Sequence, residues 1–429
     1  MPEIKEEQLL HFLKRGVSPF HVVETGKKEL ERQGFCRLSM QDAWKLKAGG
    51  KYYIDKASSL FAFRIPQKGA KEAAFRIIAS HADSPSLRIK CHPEVPGSGY
   101  AQLNVEVYGS PILNTWMDRP LGIAGRAALK SEDIFHPDMR LVDYQRPVVT
   151  IPNLASHFNR KVNEGVAIDR QKDMLPTATM LQSQNSGKRW FLESLAKELS
   201  VTAEDILDYE LFVYCAEEPA YLGLEEEFLS APRLDNLVSV AASLFTLAGQ
   251  DDHSEITAAA CFDHEEIGSS SKQGAASFLL RDILKKIKLS SGADENRFLA
   301  DLYKSIYISA DGAHAAHPNK MEKSDPTNKV LLNQGFCIKE ASSQTYATDS
   351  EAIAVVEQIC RNGNIPYQKF VNHSNERGGS TIGAILSRAL PVWGVDVGVP
   401  MLAMHSSREM MGRKDYDALS RFFADFYRL

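Results

Sequence analysis

Five short segments of the chain carry acidic residues or histidines, in the order His, Asp, Glu-Glu, Asp, His. Most of them follow a run of apolar residues that is typical of a buried β-strand. Two imidazoles and three carboxylates are a suitable ligand set for two hydrolytic metal ions, and the glutamate of the pair that does not bind metal can act as general base. The segments are His81-Ala-Asp83, Arg233-Leu-Asp235-Asn236, Asp263-His264-Glu265-Glu266, Ala310-Asp311-Gly312 and Ala403-Met404-His405.

Each segment taken alone also has a simpler interpretation. His81 and Asp83 can form a capped turn, or a ligand with the carboxylate that orients it. Asp235 can cap a helix, or bridge two ions with its two oxygens. Glu265 and Glu266 give the clearest signal, because adjacent carboxylates after an apolar strand are costly to bury unless a cation or proton neutralises them. One can bind metal while the other takes a proton from water.

The last two segments likewise allow two interpretations each. Asp311 can be a turn residue or a ligand, and His405 can begin a helix or complete the ligand set. His314 and His317 lie just beyond Asp311. A single histidine is more often structural, but this clustering makes both candidates for the substrate site.

The overall composition excludes several classes of protein. The chain has 429 residues, of which 44% are hydrophobic and 24% charged, with a formal net charge of −5. The negative charge and the lack of long basic runs argue against nucleic acid as a partner. We expect no secretory signal and no membrane span. The six cysteines are scattered without a CxxC pair, which favours reduced thiols in a cytoplasmic protein.

Strand-like and helix-like segments alternate over most of the chain, which predicts an α/β sandwich. Ligands of such folds bind at the carboxyl ends of the strands, where most of the candidate residues fall. The predicted strands are 59–66, 74–80, 256–261, 306–310, 392–397 and 400–404. The predicted helices are 6–14, 21–33, 234–247, 274–287, 350–360 and 408–427.

The pattern changes between residues 92 and 229, where Gly and Pro separate short strand-like pieces. We interpret this region as a second, β-rich domain inserted into the first. The predicted limits are 1–92 and 232–429 for the two parts of the catalytic domain, and 93–231 for the insert.

Several motifs, in this order, resemble the aspartyl aminopeptidase family of dinuclear zinc metallopeptidases, which includes vacuolar aminopeptidase I. The resemblance covers nearly the whole chain, and the combination of motifs is highly specific. It implies a three-layer α/β/α catalytic domain with a mixed sheet and an inserted dimerisation domain. The motifs are HADSPSLRIK, RLDNL, FDHEEIGS, SADGAHAAHPNK, GGSTIG and AMHSSREM, together with IPNLASHFNRKVNEG in the insert.

The resemblance also implies a role for each residue of the predicted site, and no position departs from the family motifs. It further implies a tetrahedral dodecamer built from dimers, in which a histidine of the insert reaches a neighbour's active site. The implied metal ligands are His81 and Asp311 for one ion, Glu266 and His405 for the other, and Asp235 as the bridge. Glu265 would be general base and Asp83 would hold His81. The implied substrate-binding residues are His157, His314, Lys339, Gly378 and Gly379.

The predicted function is a metal-dependent aminopeptidase that releases single N-terminal residues from peptides. A lysine in the side-chain pocket favours Asp or Glu, whereas a neutral, leucine-like preference is the alternative. Two divalent ions are expected, zinc before cobalt or manganese. A dinuclear deacylase or carboxypeptidase is a second interpretation, and a non-catalytic scaffold is a third.

Overall fold

The computed structural model describes residues 6–96, 99–180, 189–250 and 253–429. The chain forms two compact units. Unit 1 comprises Met1–Asp83, Pro219–Met404 and Glu409–Leu429, and unit 2 comprises Ser84–Glu218 and His405–Arg408. The predicted domain limits stay a prediction.

Helices and strands alternate in the second half of the chain, whereas strands predominate between residues 36 and 180. The helices are α1 (Glu6–Arg15), α2 (Pro19–Arg32), α3 (Trp190–Leu199), α4 (Leu234–Gly249), α5 (Leu279–Ser290), α6 (Glu295–Leu302), α7 (Ser350–Gly363), α8 (Ile382–Ala389) and α9 (Arg413–Arg428). The first ten strands are β1 (Cys36–Arg37), β2 (Lys51–Lys56), β3 (Ser59–Arg64), β4 (Phe75–His81), β5 (Ser86–Pro96), β6 (Tyr100–Tyr108), β7 (Leu121–Leu129), β8 (Asp138–Asp143), β9 (Thr177–Met180) and β10 (Ile206–Cys215). The others are β11 (Ala220–Leu222), β12 (Phe228–Ala231), β13 (Ile256–Phe262), β14 (Ile306–Ala310), β15 (Ala313–His314), β16 (Phe336–Glu340), β17 (Tyr367–Val371), β18 (Trp393–Gly398), β19 (Pro400–Leu402) and β20 (Glu409–Gly412).

The central sheet of unit 1 has, within the described residues, nine strands in the order β1-β2-β3-β13-β4-β14-β18-β16-β17. The pairs β13–β4, β4–β14 and β14–β18 are parallel, whereas β3–β13 and β16–β18 are antiparallel. The predicted α/β class with a mixed sheet is thereby confirmed. Because parallel strands end at one edge of a sheet, the carboxyl ends of β13, β4 and β14 lie side by side.

Strand β13 shows why helices cover both faces of this sheet. All seven of its residues are buried, and successive side chains of a strand point to opposite faces. Ala259 and Cys261 belong to a core cluster that includes residues of α1, α2, α4, α7 and α9. Ala260 and Phe262 belong to another cluster, with residues of α5, α6 and α8. The result is the expected three layers, with a core on each side of the sheet.

Two helices begin later than their periodicity predicts. The helix predicted from residue 274 begins at Leu279, because residues 269–278 form turns in which the Ser271 hydroxyl accepts the Gly274 N–H at 3.0 Å. The helix predicted from residue 408 begins at Arg413, because Glu409–Gly412 is strand β20, paired antiparallel with β12 and β19. These strands belong to the smaller sheet of unit 1, in the order β11-β12-β20-β19-β15.

Unit 2 is built on a sheet of six strands, counted in its described residues, in the order β8-β7-β10-β5-β6-β9. Neighbouring strands of this sheet pair antiparallel throughout. Its core packs Leu87, Leu103, Ile123 and Leu211 with Leu195 of α3. The predicted β-rich character of the inserted region is confirmed.

None of the helices in the described ranges is long and apolar enough to cross a membrane. The six cysteines are free thiols, four of them buried and two exposed. A cytoplasmic location stays a prediction.

Candidate metal centre

The carboxyl ends of three neighbouring parallel strands bring the predicted ligands of unit 1 together. His81 is the last residue of β4 and pairs in register with Phe262, the last residue of β13. Asp311 directly follows the last residue of β14. Strand β14 pairs with β4 on the edge opposite to β13. Adjacent strand ends therefore place Glu265, Glu266 and Asp311 around the His81 ring, as the alternation of strands and helices predicts.

Two carboxylates lie beside one nitrogen of the His81 ring. His81 is 1% exposed, and its Nε2 lies 3.4 Å from Asp235 Oδ1 and 3.3 Å from Asp311 Oδ1. Candidate ligand atoms of His81, Asp235 and Glu266 all lie within 4.8 Å of one another. The structure thus brings four of the five predicted metal ligands into one buried cluster.

The tautomer of His81 shows what this cluster can hold. Its Nδ1 lies 3.1 Å from the backbone carbonyl of Asp83, which can only accept, so Nδ1 carries the proton. The lone pair of Nε2 then points at the Asp235 and Asp311 oxygens, which repel it. A proton or a metal cation between Nε2 and these oxygens removes that repulsion. Ligand atoms about 2.1 Å from a tetrahedral zinc ion are about 3.4 Å apart, which matches these separations.

Asp83 connects this ring to the pair of glutamates. Its Oδ1 lies 3.4 Å from His81 Nδ1 and accepts the backbone N–H of Glu265 at 3.1 Å. Its Oδ2 accepts the backbone N–H of Glu266, also at 3.1 Å. Asp83 is fully buried, so one carboxylate orients the imidazole and fixes the short 3₁₀ turn Glu265–Ile267.

The protein groups of this cluster attract positive charge. Burial of its carboxyl group raises the pKa of Glu265 to about 8, and Asp311 adds to the rise. Burial, followed by Asp235, raises the pKa of Glu266 well above its usual value. Burial disfavours the imidazolium form of His81, but hydrogen bonds with the carboxylates outweigh it and raise the pKa of His81 well above its usual value. A bound cation satisfies all three groups at once.

The predicted ligand His405 lies in unit 2, in a turn after β19, with φ of +68°. Its Nδ1 lies 3.1 Å from the backbone carbonyl of Ser110 and therefore carries the proton, which makes Nε2 the acceptor nitrogen of the ring. The predicted substrate residue His157 is exposed and also belongs to unit 2.

The other predicted substrate residues fall into two places in unit 1. His314, Gly378 and Gly379 line one cavity of about 300 Å³. Lys339 is 3% exposed; its Nζ donates to the Gly312 carbonyl at 2.8 Å and lies 3.5 Å from Asp311 Oδ2. Lys339 thus contacts a candidate metal ligand and is not itself a lining residue of that cavity.

Two buried acids of unit 1 that accept hydrogen bonds from other segments of the chain were not predicted from the sequence. Glu409, 2% exposed, accepts the Asp235 backbone N–H at 2.9 Å and fixes the segment that carries the proposed bridging carboxylate. Asp396, fully buried, accepts the Thr381 hydroxyl at 2.5 Å and the Ala347 N–H at 2.6 Å. A lone acid in the apolar strand VWGVDV is the signal that could have revealed Asp396.

The chain matches a known family over nearly its whole length. The sequence profile of the aminopeptidase I zinc metalloproteases (M18) matches residues 12–427. The chain belongs to the M18 family. It is 44% identical over 424 residues to a probable M18 family aminopeptidase 2 of Clostridium novyi, covering 98% of both chains. It is therefore a metallo-aminopeptidase, which hydrolyses peptide bonds.

Solved structures show the same fold. A chain of the Ape4 and Nbr1 complex, solved by cryo-EM, has a TM-score of 0.94 and 34% identity, over 98% of this chain and 84% of that one. The mApe1 dodecamer of S. cerevisiae has a TM-score of 0.83 and 25% identity, over 98% and 95% of the two chains. The predicted family is confirmed, and an M18 relative is a dodecamer.

Proposed function

We propose that this M18 aminopeptidase holds two divalent ions, zinc before cobalt or manganese, and releases single N-terminal residues with a preference for Asp or Glu. The observation that carries the proposal is the buried cluster of His81, Asp235 and Glu266, whose ligand atoms lie within 4.8 Å of one another. Asp311 Oδ1 extends this cluster, 3.3 Å from His81 Nε2.

The ligands divide between two ions in this proposal. His81 and Asp311 would hold one ion, Glu266 and His405 would hold the other, and Asp235 would serve both. The short distances from His81 Nε2 to Asp235 and Asp311 support the first group. The assignment of His405 rests on the resemblance of its motif to the family.

Glu265 is the general acid and base of the proposed reaction. Two bound divalent ions would polarise the scissile carbonyl and lower the pKa of the attacking water. Glu265 accepts the proton of that water and then donates it to the leaving amine. In the metal-free protein burial raises the pKa of Glu265 to about 8, so this site can hold a proton on that carboxyl group. Asp83, which accepts the Glu265 N–H, positions it for both steps.

The preference for acidic residues is the finer part of the proposal. A buried cation, Lys339, lies next to the proposed ligand Asp311, and its charge favours carboxylates near the site. His314, Gly378 and Gly379 would line the substrate pocket, because they share one cavity. A neutral, leucine-like preference is the alternative, since Lys339 already contacts the Asp311 carboxylate.

The first experiment is amino-acid release from Asp-, Glu-, Leu- and Ala-peptides with added Zn, Co or Mn and a chelator control. We expect release that the chelator abolishes, fastest with the acidic peptides. Release from Leu-peptides alone would remove the acidic preference and keep the metal mechanism. No amino-acid release from any of the four peptides would refute the proposed activity.

Two variants test the assigned roles. Glu265→Gln keeps the size of the side chain and deletes the base, so turnover should be lost while metal content stays. Asp235→Ala deletes the proposed bridge, so metal content itself should fall. Turnover in the first variant, or full metal content in the second, would contradict these assignments.

We further propose that the inserted residues 93–231 mediate dimerisation and that dimers build a homododecamer. The dodecamer of the S. cerevisiae relative supports this assembly. His157, exposed in the insert, would then reach a neighbouring subunit's active site. Sedimentation velocity should give a particle of about twelve subunits, and His157→Ala should lower turnover without changing that mass. A monomer would refute the assembly.

A further inference from the structure

Asp263 and His264 belong to the segment that carries the pair of glutamates, and the proposed function gives neither of them a role. Both nitrogens of the His264 ring lie against polar atoms of the protein. Nδ1 lies 2.7 Å from Ser271 Oγ, and Nε2 lies 3.3 Å from Asp263 Oδ2. Asp263 is 2% exposed, and its Oδ1 accepts the backbone N–H of His264 at 2.8 Å. We call these three connected side chains, Asp263, His264 and Ser271, the His264 network.

The hydrogen bonds of Ser271 fix the direction of the protons in this network. Ser271 Oγ accepts the backbone N–H of Gly274 at 3.0 Å and that of Gln273 at 3.4 Å. Because both lone pairs of the hydroxyl are then occupied, its proton goes to His264 Nδ1. A His264 ring that accepts at Nδ1 carries its own proton on Nε2, which faces the Asp263 carboxylate. Each donor of the network therefore meets an acceptor.

The order Asp, His, Ser is also that of a hydrolytic triad, in which the serine hydroxyl attacks a substrate. An attacking oxygen needs a lone pair directed at the substrate carbonyl. Both lone pairs of Ser271 Oγ accept backbone N–H groups of its own loop instead. The arrangement is therefore suited to holding two segments together and not to nucleophilic attack.

The loop that carries Ser271 is anchored to the central sheet. The Gln273 carbonyl accepts the hydroxyl of Ser59, the first residue of β3, at 2.9 Å. The same carbonyl accepts the backbone N–H of Asp263 at 3.3 Å. The loop is also compact, since a Cβ on Gly274 would lie 2.1 Å from a carbonyl oxygen of the same loop. Ser271 is thus a fixed point to which the His264 ring is attached.

The backbone of His264 determines where the turn with the glutamates begins. Its φ of +64° is a left-handed conformation, which is uncommon for a residue with a side chain. The 3₁₀ turn Glu265–Ile267 starts at the next residue, and the His264 carbonyl accepts the Ser269 N–H at 2.7 Å. The bend at His264 therefore sets the direction in which this turn leaves strand β13.

We propose that His264 is a positioning residue of this aminopeptidase. Its ring, held between Asp263 and Ser271, keeps the left-handed bend in place. That bend in turn sets the positions of the Glu265 and Glu266 carboxylates. The inference rests on the proposed function, in which Glu265 is the general base and Glu266 a metal ligand. Asp83 accepts the N–H groups of the turn itself, whereas the His264 network fixes the residue before it.

Two substitutions separate the ring from the backbone bend. His264→Gly adopts the left-handed conformation without strain but deletes the ring, and Ser271→Ala deletes the hydroxyl that anchors the ring. We expect each to lower kcat about tenfold and to leave KM within about twofold, because a misplaced base weakens the transition state and not peptide binding. A native kcat in His264→Gly would overturn the proposal, since the bend alone would then be sufficient.

The double variant His264→Gly/Ser271→Ala tests whether the two side chains act as a unit. Because either deletion already breaks the network, its kcat should stay within about twofold of the single variants. A loss equal to the product of the two single losses would overturn the proposal. Ser277→Ala is the matched control, because its hydroxyl donates to the Gly274 carbonyl at 2.8 Å in the same loop. The kcat of this control should match that of the native enzyme.

Two measurements without turnover separate this inference from the proposed function. In the metal-free protein, the segment 263–270 should exchange its amide hydrogens about tenfold faster in Ser271→Ala than in Ser277→Ala or the native protein. Competition with a chelator should show zinc affinity about tenfold lower in Ser271→Ala, because Glu266 is less well placed. Native exchange and native zinc affinity in this variant would overturn the inference. If the native enzyme cleaves no peptide, the proposed function fails, and these two measurements still decide whether the His264 network holds the turn.

Discussion

Lys339 Nζ lies 3.5 Å from Asp311 Oδ2, and the two side chains are 3% and 12% exposed. Burial opposes the charge of Lys339, but attraction to Asp311 raises the pKa of Lys339 above its usual value. Lys339 is therefore the buried counter-charge of a proposed metal ligand. This relationship makes the stability of the metal-free protein depend on a residue that sequence resemblance assigns to substrate.

Lys339→Met should destabilise the metal-free protein by about 3–5 kcal/mol, because Asp311 would keep a buried charge without its partner. Added zinc should recover part of the loss, since a cation beside Asp311 replaces the missing charge. Chemical denaturation with and without metal measures both effects.

Lys369→Met is the matched control for Lys339. It lies on the neighbouring strand β17, where its Nζ forms exposed ion pairs with Glu340 at 3.5 Å and Glu357 at 3.0 Å. Such pairs contribute less than about 1 kcal/mol each. An equal loss of unfolding free energy in the two variants would show that the Lys339–Asp311 contact stabilises the protein no more than the ion pairs of Lys369 do.

Asp83→Asn should lower kcat/KM and metal affinity by about 10- to 100-fold while the fold persists. The amide presents an NH₂ group to one of the two backbone N–H donors, so the turn that carries Glu265 and Glu266 loses an acceptor. Metal content and steady-state kinetics measure the change. Asp282→Asn, at an exposed position of α5, should have no effect.

Metal removal should make the stability of the protein depend on pH. The raised pKa values of Glu265, Glu266 and His81 mean that the folded metal-free protein binds more protons than the unfolded chain. The free energy of unfolding should therefore fall as pH rises from about 4.5 towards 8. The loaded protein should lack this loss, because its ligands hold metal instead of protons.

The same protons should leave when metal binds, so the affinity for zinc should rise with pH. Titration calorimetry at pH 7 in buffers of different ionisation enthalpy counts the protons released. A heat of binding that does not depend on the buffer would mean that no protons are released. That result would contradict a protonated cluster in the metal-free protein.

Much of the metal centre follows from local sequence pattern. His81 and Asp311 stand at the ends of apolar runs, and parallel strands must bring such ends together at one edge. Glu265 and Glu266 follow a third such run, β13. These positions could be predicted because the period of a strand and the place where it stops are both visible in the sequence.

The parts that local pattern missed depend on long-range pairing. Glu409 reaches the Asp235 N–H because β20 pairs with β12, residues far apart in the chain. A run such as SSREMMG also has the composition of a helix start, and the sheet partner overrides that preference. The contact of Lys339 with Asp311 likewise needs the antiparallel pairing of β16 with β18, which no single segment encodes.

A second buried lysine, remote in sequence from the metal ligands, allows a test of fold stability alone. Lys288 of α5 is 0% exposed, and its Nζ donates to the backbone carbonyls of Ala70, Lys71 and Ala73 at 2.8, 2.9 and 2.8 Å. Asp301 Oδ2 lies 2.6 Å from the same Nζ, so three ammonium protons are shared among four acceptors. One ammonium thus anchors the loop before β4 to α5 and α6.

Lys288→Met should destabilise the protein by about 3 kcal/mol, because three carbonyls lose their charged donor, while Arg297 Nε still donates to Asp301 Oδ2 at 2.7 Å. Lys285→Met, on the same helix, removes an exposed ion pair with Glu295 and should cost less than about 1 kcal/mol. Denaturation with the metal bound measures both, and kcat/KM well below the transition should match the native enzyme. A Lys288→Met variant as stable as the native protein would show that water or neighbouring groups replace the ammonium. Lost activity in a folded variant would show that Lys288 also positions His81 through β4.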